Sequence, residues 1–223
     1  MHKQRPIVIR AVPESSVLTE LGAVDPVCAR LYASRGVTSA AELNYGLAGL
    51  APVSSLDNIA AAVELLEAHR DRRIVIVGDF DVDGATSTAL MLRCLRAFGF
   101  GDVDYLVPNR FDYGYGLTPE IVRVAAEREP ALIVTVDNGI SSAAGVDEAK
   151  QLGIAVLVTD HHLPGAEVPD ADVIVNPNLA GSQFPSPNLA GVGVAFYVMA
   201  ALGRKLDKAG QAGAAKVPAR YLD

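Results

Sequence analysis

With 223 residues, half of them hydrophobic and a fifth charged, the chain can fold one good-sized domain with a real core, or a domain and a smaller piece. Its two cysteines, Cys28 and Cys94, stand outside any Cys-x-x-Cys pattern, which excludes a disulfide framework or thiolate metal site and leads us to expect a reducing, cytoplasmic setting. No signal peptide is read at the N-terminus and no stretch approaches the roughly 20 apolar residues of a membrane span, while a net charge of −7 asks any nucleic-acid reading to explain where its basic surface lies.

Residues 1–70 read as a small, mostly helical lead-in without chemistry. It opens with a β-like run, Ile7-Val8-Ile9, followed by helical patches at about 25–34, 39–45 and 57–69. From residue 71 onward the pattern is strand, turn, helix, repeated. Ile74-Val75-Ile76-Val77 is a β-branched run suited to a strand buried on both faces. It ends at Gly78, and a helix is expected from Ala85 to Phe98. A strand at 103–107, a polar loop and a helix at 118–128 follow, the helix opening with the start signal Thr118-Pro119-Glu120. Then come a strand at 132–136, a helix at 142–152, a strand at 154–158, a short strand at 173–175 and a last helix at 193–202. This alternation predicts an α/β fold, a mainly parallel β-sheet with helices on both faces.

In such sheets ligands bind beyond the carboxyl ends of the strands, and the residues there form a chemically coherent set. The first strand runs into Gly78-Asp79-Phe80-Asp81-Val82-Asp83-Gly84. Three carboxylates at alternate positions of a short extended turn raise one another's pKa unless a cation holds them ionised. Oxygen ligands of this kind suit Mg²⁺ or Mn²⁺; a calcium-type loop or a solvated turn is the plainer alternative. The third strand ends in Asp137-Asn138-Gly139 and the fourth in Thr159-Asp160-His161-His162. Alone, the first is a turn signal and the second a surface histidine pair. Imidazole beside carboxylate favours Mn²⁺ over Mg²⁺ alone. Together the three strand tips could hold two divalent ions flanking a phosphoryl transfer. The acidity is then local and no longer counts against an anionic substrate.

GDFDVDG, VDNG and Asp160-His161-His162 resemble, in order and spacing, the first three motifs of the DHH phosphoesterases. Within that family, VIVGDFDVDGATSTAL, PNRFDYGYGL, TVDNGISS, VTDHHLPG, VNPN and NLAGVGVAFYV are similar to its branch of single-strand-specific DNA exonucleases, over about residues 55–223. The resemblance implies a processive, Mn²⁺- or Mg²⁺-dependent 5′→3′ exonuclease that releases 5′-mononucleotides from single-stranded DNA in repair and recombination. It also implies a single-strand-binding protein and a helicase as partners. Carried over, Asp81 and Asp83 become ligands to separate ions, Asp137 their bridge and His161 a ligand of the second. Asp79 shares the first ion or sits just outside it, His162 contacts the scissile phosphate, and Asp160 orients the histidines. In the loop 108–116, Arg110 becomes a phosphate ligand, with Asn109 beside it and Tyr113 and Tyr115 able to stack on bases. Gly191 and Gly193 open the last helix, where backbone amides favour anions, although close packing explains glycines there equally well. The family pattern also places a further aspartate ligand beyond the Tyr221-Leu222-Asp223 segment.

Three rival readings remain. Relatives in the family cleave pyrophosphate, cyclic dinucleotides or very short RNAs with the same kind of site. Asp81-Val82-Asp83-Gly84 also resembles the nucleophile loop of haloacid dehalogenases, a chemistry that has no use for Asp160-His161-His162. The third is a non-catalytic module like the degenerate family member in a replicative helicase, against which the retained carboxylates and imidazoles argue.

Overall fold

The computed structural model describes residues 11, 14–22, 24–44 and 46–222, without the side chain of Arg110. The β-like run at Ile7-Val8-Ile9 lies outside them. The chain divides into two compact units, Met1–Leu50 and Ala51–Asp223.

Within the first unit, α1 (Ser15–Glu20) precedes α2 (Pro26–Ala33). Asp25 caps α2, accepting hydrogen bonds from the amides of Val27 and Cys28, and Pro26 takes the first helical position, where no amide is needed. The helical patch expected at 39–45 is a 3₁₀ turn, Ala40–Leu43, with the Glu42 carboxylate accepting the amides of Thr38 and Ser39.

The second unit runs α3 (Ile59–Ala68), β1 (Ile74–Gly78), α4 (Val82–Ala97), β2 (Val103–Leu106), α5 (Arg110–Tyr113), α6 (Pro119–Ala126), β3 (Leu132–Val136), α7 (Ala143–Gln151), β4 (Ala155–Thr159), β5 (Val173–Val175) and α8 (Gly191–Lys208). All strand pairs are parallel, in the order β2-β1-β3-β4-β5. Alternation along each strand splits the core into two. Ile74, Ile76, Leu132, Val134 and Leu157 pack with α3, α4 and α8, whereas Val75, Val77, Ile133, Val156 and Val158 pack with α6 and α7. Each fully buried aliphatic side chain contributes about 1.5–3 kcal/mol before entropy is counted, so this sheet carries much of the unit's hydrophobic stabilisation. The division between units falls earlier than the expected residue 70 because Leu56, Ile59, Val63 and Leu66 belong to the first of these cores.

The chain builds outward from β1 to β2, then returns to lay β3 on the other side of β1. The reversal opens a crevice at the carboxyl ends of β1 and β3. Among the described residues, no helix is long and apolar enough to cross a membrane.

Candidate metal centre

The turn out of β1 is tight. A Cβ on Gly78 would lie 2.2 Å from Thr88 Oγ1, and one on Gly84 would lie 2.4 Å from the carbonyl oxygen of Asp79. Asp81 N-caps α4, its Oδ1 accepting the Gly84 amide at 3.0 Å, so the helix begins at Val82 and not at Ala85. The three acids therefore do not lie on one extended turn. Asp79 and Asp81 stay at the strand tip, while Asp83 rides in the first helical turn.

Asp83 reaches the start of α8. Its two oxygens accept the amides of Gly191 and Val192, each at 2.7 Å. α8 has Ala190 at its N-cap and no cap of its own, so this carboxylate satisfies its orphan donors and meets its positive end. The anion expected at the α8 N-terminus is thus a side chain of the protein itself. A Cβ on Gly191 would lie 2.6 Å from Asp137 Oδ1, and one on Gly193 would lie 2.4 Å from Leu189 Cδ1. Both glycines are explained by close approach.

At the tip of β3, Asp137 adopts a left-handed backbone (φ 61°), which turns its carboxylate into the crevice. It is 2 % exposed. Burial, then the negative charges of Asp83 and Asp81, push its carboxyl up to about 7. His161 Nε2 lies 3.0 Å from Asp137 Oδ1 and 3.5 Å from Asp83 Oδ2. The 3.0 Å approach does not make a hydrogen bond, and Oδ1 is left buried without one.

At the tip of β4, Asp160 is buried and fully engaged. Its Oδ2 accepts the Ile140 amide, and its Oδ1 accepts the amides of His161 and His162 and Nδ1–H of His162, the last at 2.7 Å. Burial works to raise the Asp160 carboxyl, but these hydrogen bonds outweigh it and hold it below its ordinary value. The same bond raises the pKa of His162 and leaves its Nε2 facing the crevice.

One ligand atom each from Asp79, Asp81 and Asp137 lie within 4.8 Å of one another, and so do atoms from Asp137, His161 and His162. Asp137 belongs to both groups. These residues fit divalent cations: a buried oxygen without a hydrogen-bond partner, a carboxyl driven upward by neighbouring negative charge, and mixed oxygen and imidazole donors.

A cleft of about 750 Å³, lined by Asp79, Asp81, Tyr115, Ser141, Asp160 and His162, opens beside this centre. Tyr115, expected to stack on bases, faces Asp137 and His162 there. Its hydroxyl donates to the Asp137 carbonyl at 3.3 Å and sits 3.4 Å from His162 Nδ1, with the rings edge to face. Burial and the surrounding carboxylates raise its pKa well above the ordinary phenol value. Tyr113 is partly exposed in α5. Asn109 turns into that helix, donating to Asp112 Oδ2 and accepting the Phe111 amide. The reading of Arg110 as a phosphate ligand concerns a side chain outside those described. Sequence reasoning assigned no role to Asn176 and Asn178, whose side chains hold the backbone of both histidines. The signal was Asn-Pro-Asn at the carboxyl end of a buried strand.

The model of the DHH family, N-terminal domain, matches residues 73–223. The chain is 59 % identical over 179 residues to the single-stranded-DNA-specific exonuclease RecJ of Escherichia coli (strain K12), covering 79 % of the chain and 31 % of that protein. It is 56 % identical over 204 residues to RecJ of Salmonella typhimurium, covering 91 % and 35 %. The chain thus spans about a third of the length of the curated relatives it matches. The crystal structure of RecJ in complex with Mn²⁺ from Thermus thermophilus superposes with a TM-score of 0.64 at 33 % identity, over 92 % of this chain and 29 % of that one. A crystal structure of exonuclease RecJ bound to manganese gives 0.61 at 36 % identity, over 70 % and 40 %.

Proposed function

This chain belongs to the DHH family, and from that membership we propose that it carries the catalytic core of a divalent-metal-dependent exonuclease that degrades single-stranded DNA 5′→3′ to 5′-mononucleotides. The observation that carries the reading is Asp137, common to a carboxylate group and an imidazole group at neighbouring strand tips. The relatives named RecJ are single-stranded-DNA-specific exonucleases, and two RecJ structures hold manganese.

In this reading Asp79 and Asp81 would hold one cation with Asp137. Asp137 and His161 would hold the other, with Asp83 beside His161 and anchored to α8. Bound Mn²⁺ or Mg²⁺ supplies Lewis-acid stabilisation of the phosphoryl oxygens and a better water nucleophile. The hydrogen bond to Asp160 raises the pKa of His162 and aims its ring, so that Nε2 can stabilise charge on the scissile phosphate or assist the leaving oxygen. Tyr115 keeps the His162 ring edge in place. Arg110 grips a neighbouring phosphate, and a single-strand-binding protein and a helicase are the partners this role calls for.

The test is Mn²⁺-dependent degradation of a 5′-labelled single-stranded DNA by the chain and by an Asp137→Ala variant. Release of mononucleotides that disappears in the variant supports the reading. Hydrolysis of only dinucleotides or pyrophosphate keeps the site and replaces the substrate. Near-normal turnover by the variant removes the two-metal assignment.

A further inference from the structure

Every backbone hydrogen-bonding group of the His161-His162 dipeptide is held by a side chain. Asp160 Oδ1 accepts the two amides, at 2.7 and 3.1 Å. The two carbonyls are taken by asparagines that follow β5: Asn178 Nδ2 donates to His161 O at 2.6 Å, and Asn176 Nδ2 donates to His162 O at 3.0 Å. Asn176 is fully buried, and its Oδ1 accepts the Asn178 amide at 2.7 Å, which locks the pair into one turn across Pro177. Asn178 also donates to Pro187 O at 3.0 Å, in the segment that enters α8.

Backbone carbonyls of a partly exposed dipeptide can take their hydrogen bonds from water, at no cost in buried polar groups. Two asparagine amides drawn inward for this purpose cost more unless they are paired. Their gain is orientation: each side chain fixes one peptide plane, and the plane fixes where the attached imidazole points.

We propose that Asn176 and Asn178 are positioning residues with separate duties. Asn178 sets His161 and through it the hold on the cation; Asn176 sets His162 and through it the contact with the substrate phosphate. The second half of each duty rests on the metal-centre reading above. The first half does not.

The experiment uses the 223-residue chain with ¹⁵N-labelled imidazoles, free of metal, as the unaltered form and as Asn176→Asp and Asn178→Asp. The aspartates keep shape and acceptor but set a carboxylate oxygen against a carbonyl. Asn176→Ala and Asn178→Ala remove the donor without adding charge and serve should an aspartate prevent folding. Substitutions at Asn178 are expected to move chiefly the His161 ring resonances, and those at Asn176 chiefly the His162 resonances. Titration with Mn²⁺ alone, followed by electron paramagnetic resonance, should then show affinity reduced about 10- to 100-fold by the Asn178 substitutions and changed less than about twofold by those at Asn176. Both rings moving alike, neither ring moving, or equal losses of Mn²⁺ affinity would overturn the proposal. Selective ring shifts with no Mn²⁺ uptake by any form would uphold the positioning and overturn the metal reading.

Discussion

The two sides of the centre are built differently. On the β1 side, Asp79 and Asp81 sit on a turn whose neighbours Phe80 and Val82 face solvent, and each accepts a hydrogen bond from a nearby backbone amide. On the β4 side, His161 and His162 are held by Asp160, Asn176 and Asn178, from the segments that follow β4 and β5. The first side offers only oxygen and suits a hard cation that keeps its waters; the second mixes imidazole with carboxylate and suits a transition metal. Local chain geometry makes the first, and long-range hydrogen bonds make the second. Asp137 is where they meet.

The largest effect should come from breaking that junction. In the two-metal proposal Asp137→Ala removes the shared ligand, so turnover should fall about a thousandfold or more, with Mn²⁺ uptake lost on both sides by calorimetry. Retention of one full-affinity ion would mean the two sides are independent. Next, Asp81→Ala and His161→Ala should each lower the Mn²⁺ stoichiometry by one while sparing the other site. Mg²⁺ competition should displace Mn²⁺ from the β1 side more readily than from the β4 side, and equal displacement would erase the contrast.

A smaller effect concerns pH. The folded-state pKa of Asp137 is raised to about 7 from an ordinary value of 3.8. Its contribution is therefore fully present below the ordinary carboxylate range and is lost as pH rises through about 7. Added Mn²⁺ should raise the thermal midpoint more at pH 8 than at pH 5.5, and Asp137→Asn should flatten that difference. A rise independent of pH would show that Asp137 is not the proton competitor. The smallest expected change is at Tyr115. Phe keeps the edge contact with His162 but loses the hydroxyl, so Tyr115→Phe should lower kcat about three- to tenfold with little change in KM. Base stacking as its main role would predict the reverse: Phe silent and Ala raising KM.

Much of this was legible in the sequence, because it depends on short-range rules. Ile74-Val75-Ile76-Val77 and Leu132-Ile133-Val134-Thr135-Val136 could only be doubly buried strands, and parallel strands put the residues that follow them on one rim. That rule alone gathers Asp79, Asp81, Asp137, His161 and His162 at one edge of the sheet. The start of α4 was not legible. Val82-Asp83-Gly84 has weak helix propensity, and the helix begins there because Asp81 caps it and Asp83 bonds to α8. Nor could composition assign α3 to the larger unit, since its apolar stripe names no partner.

The sequence by itself determined the strands, their common rim and the kinds of ligand gathered on it, since these follow from periodicity and chemical type. Tertiary structure alone decided that Asp83 serves the start of α8, that Tyr115 leans on His162, and that Asn176 and Asn178 hold the histidines. Those contacts join residues up to 109 positions apart, and hydrogen-bond direction over such separations is set by how elements pack, which no local pattern encodes.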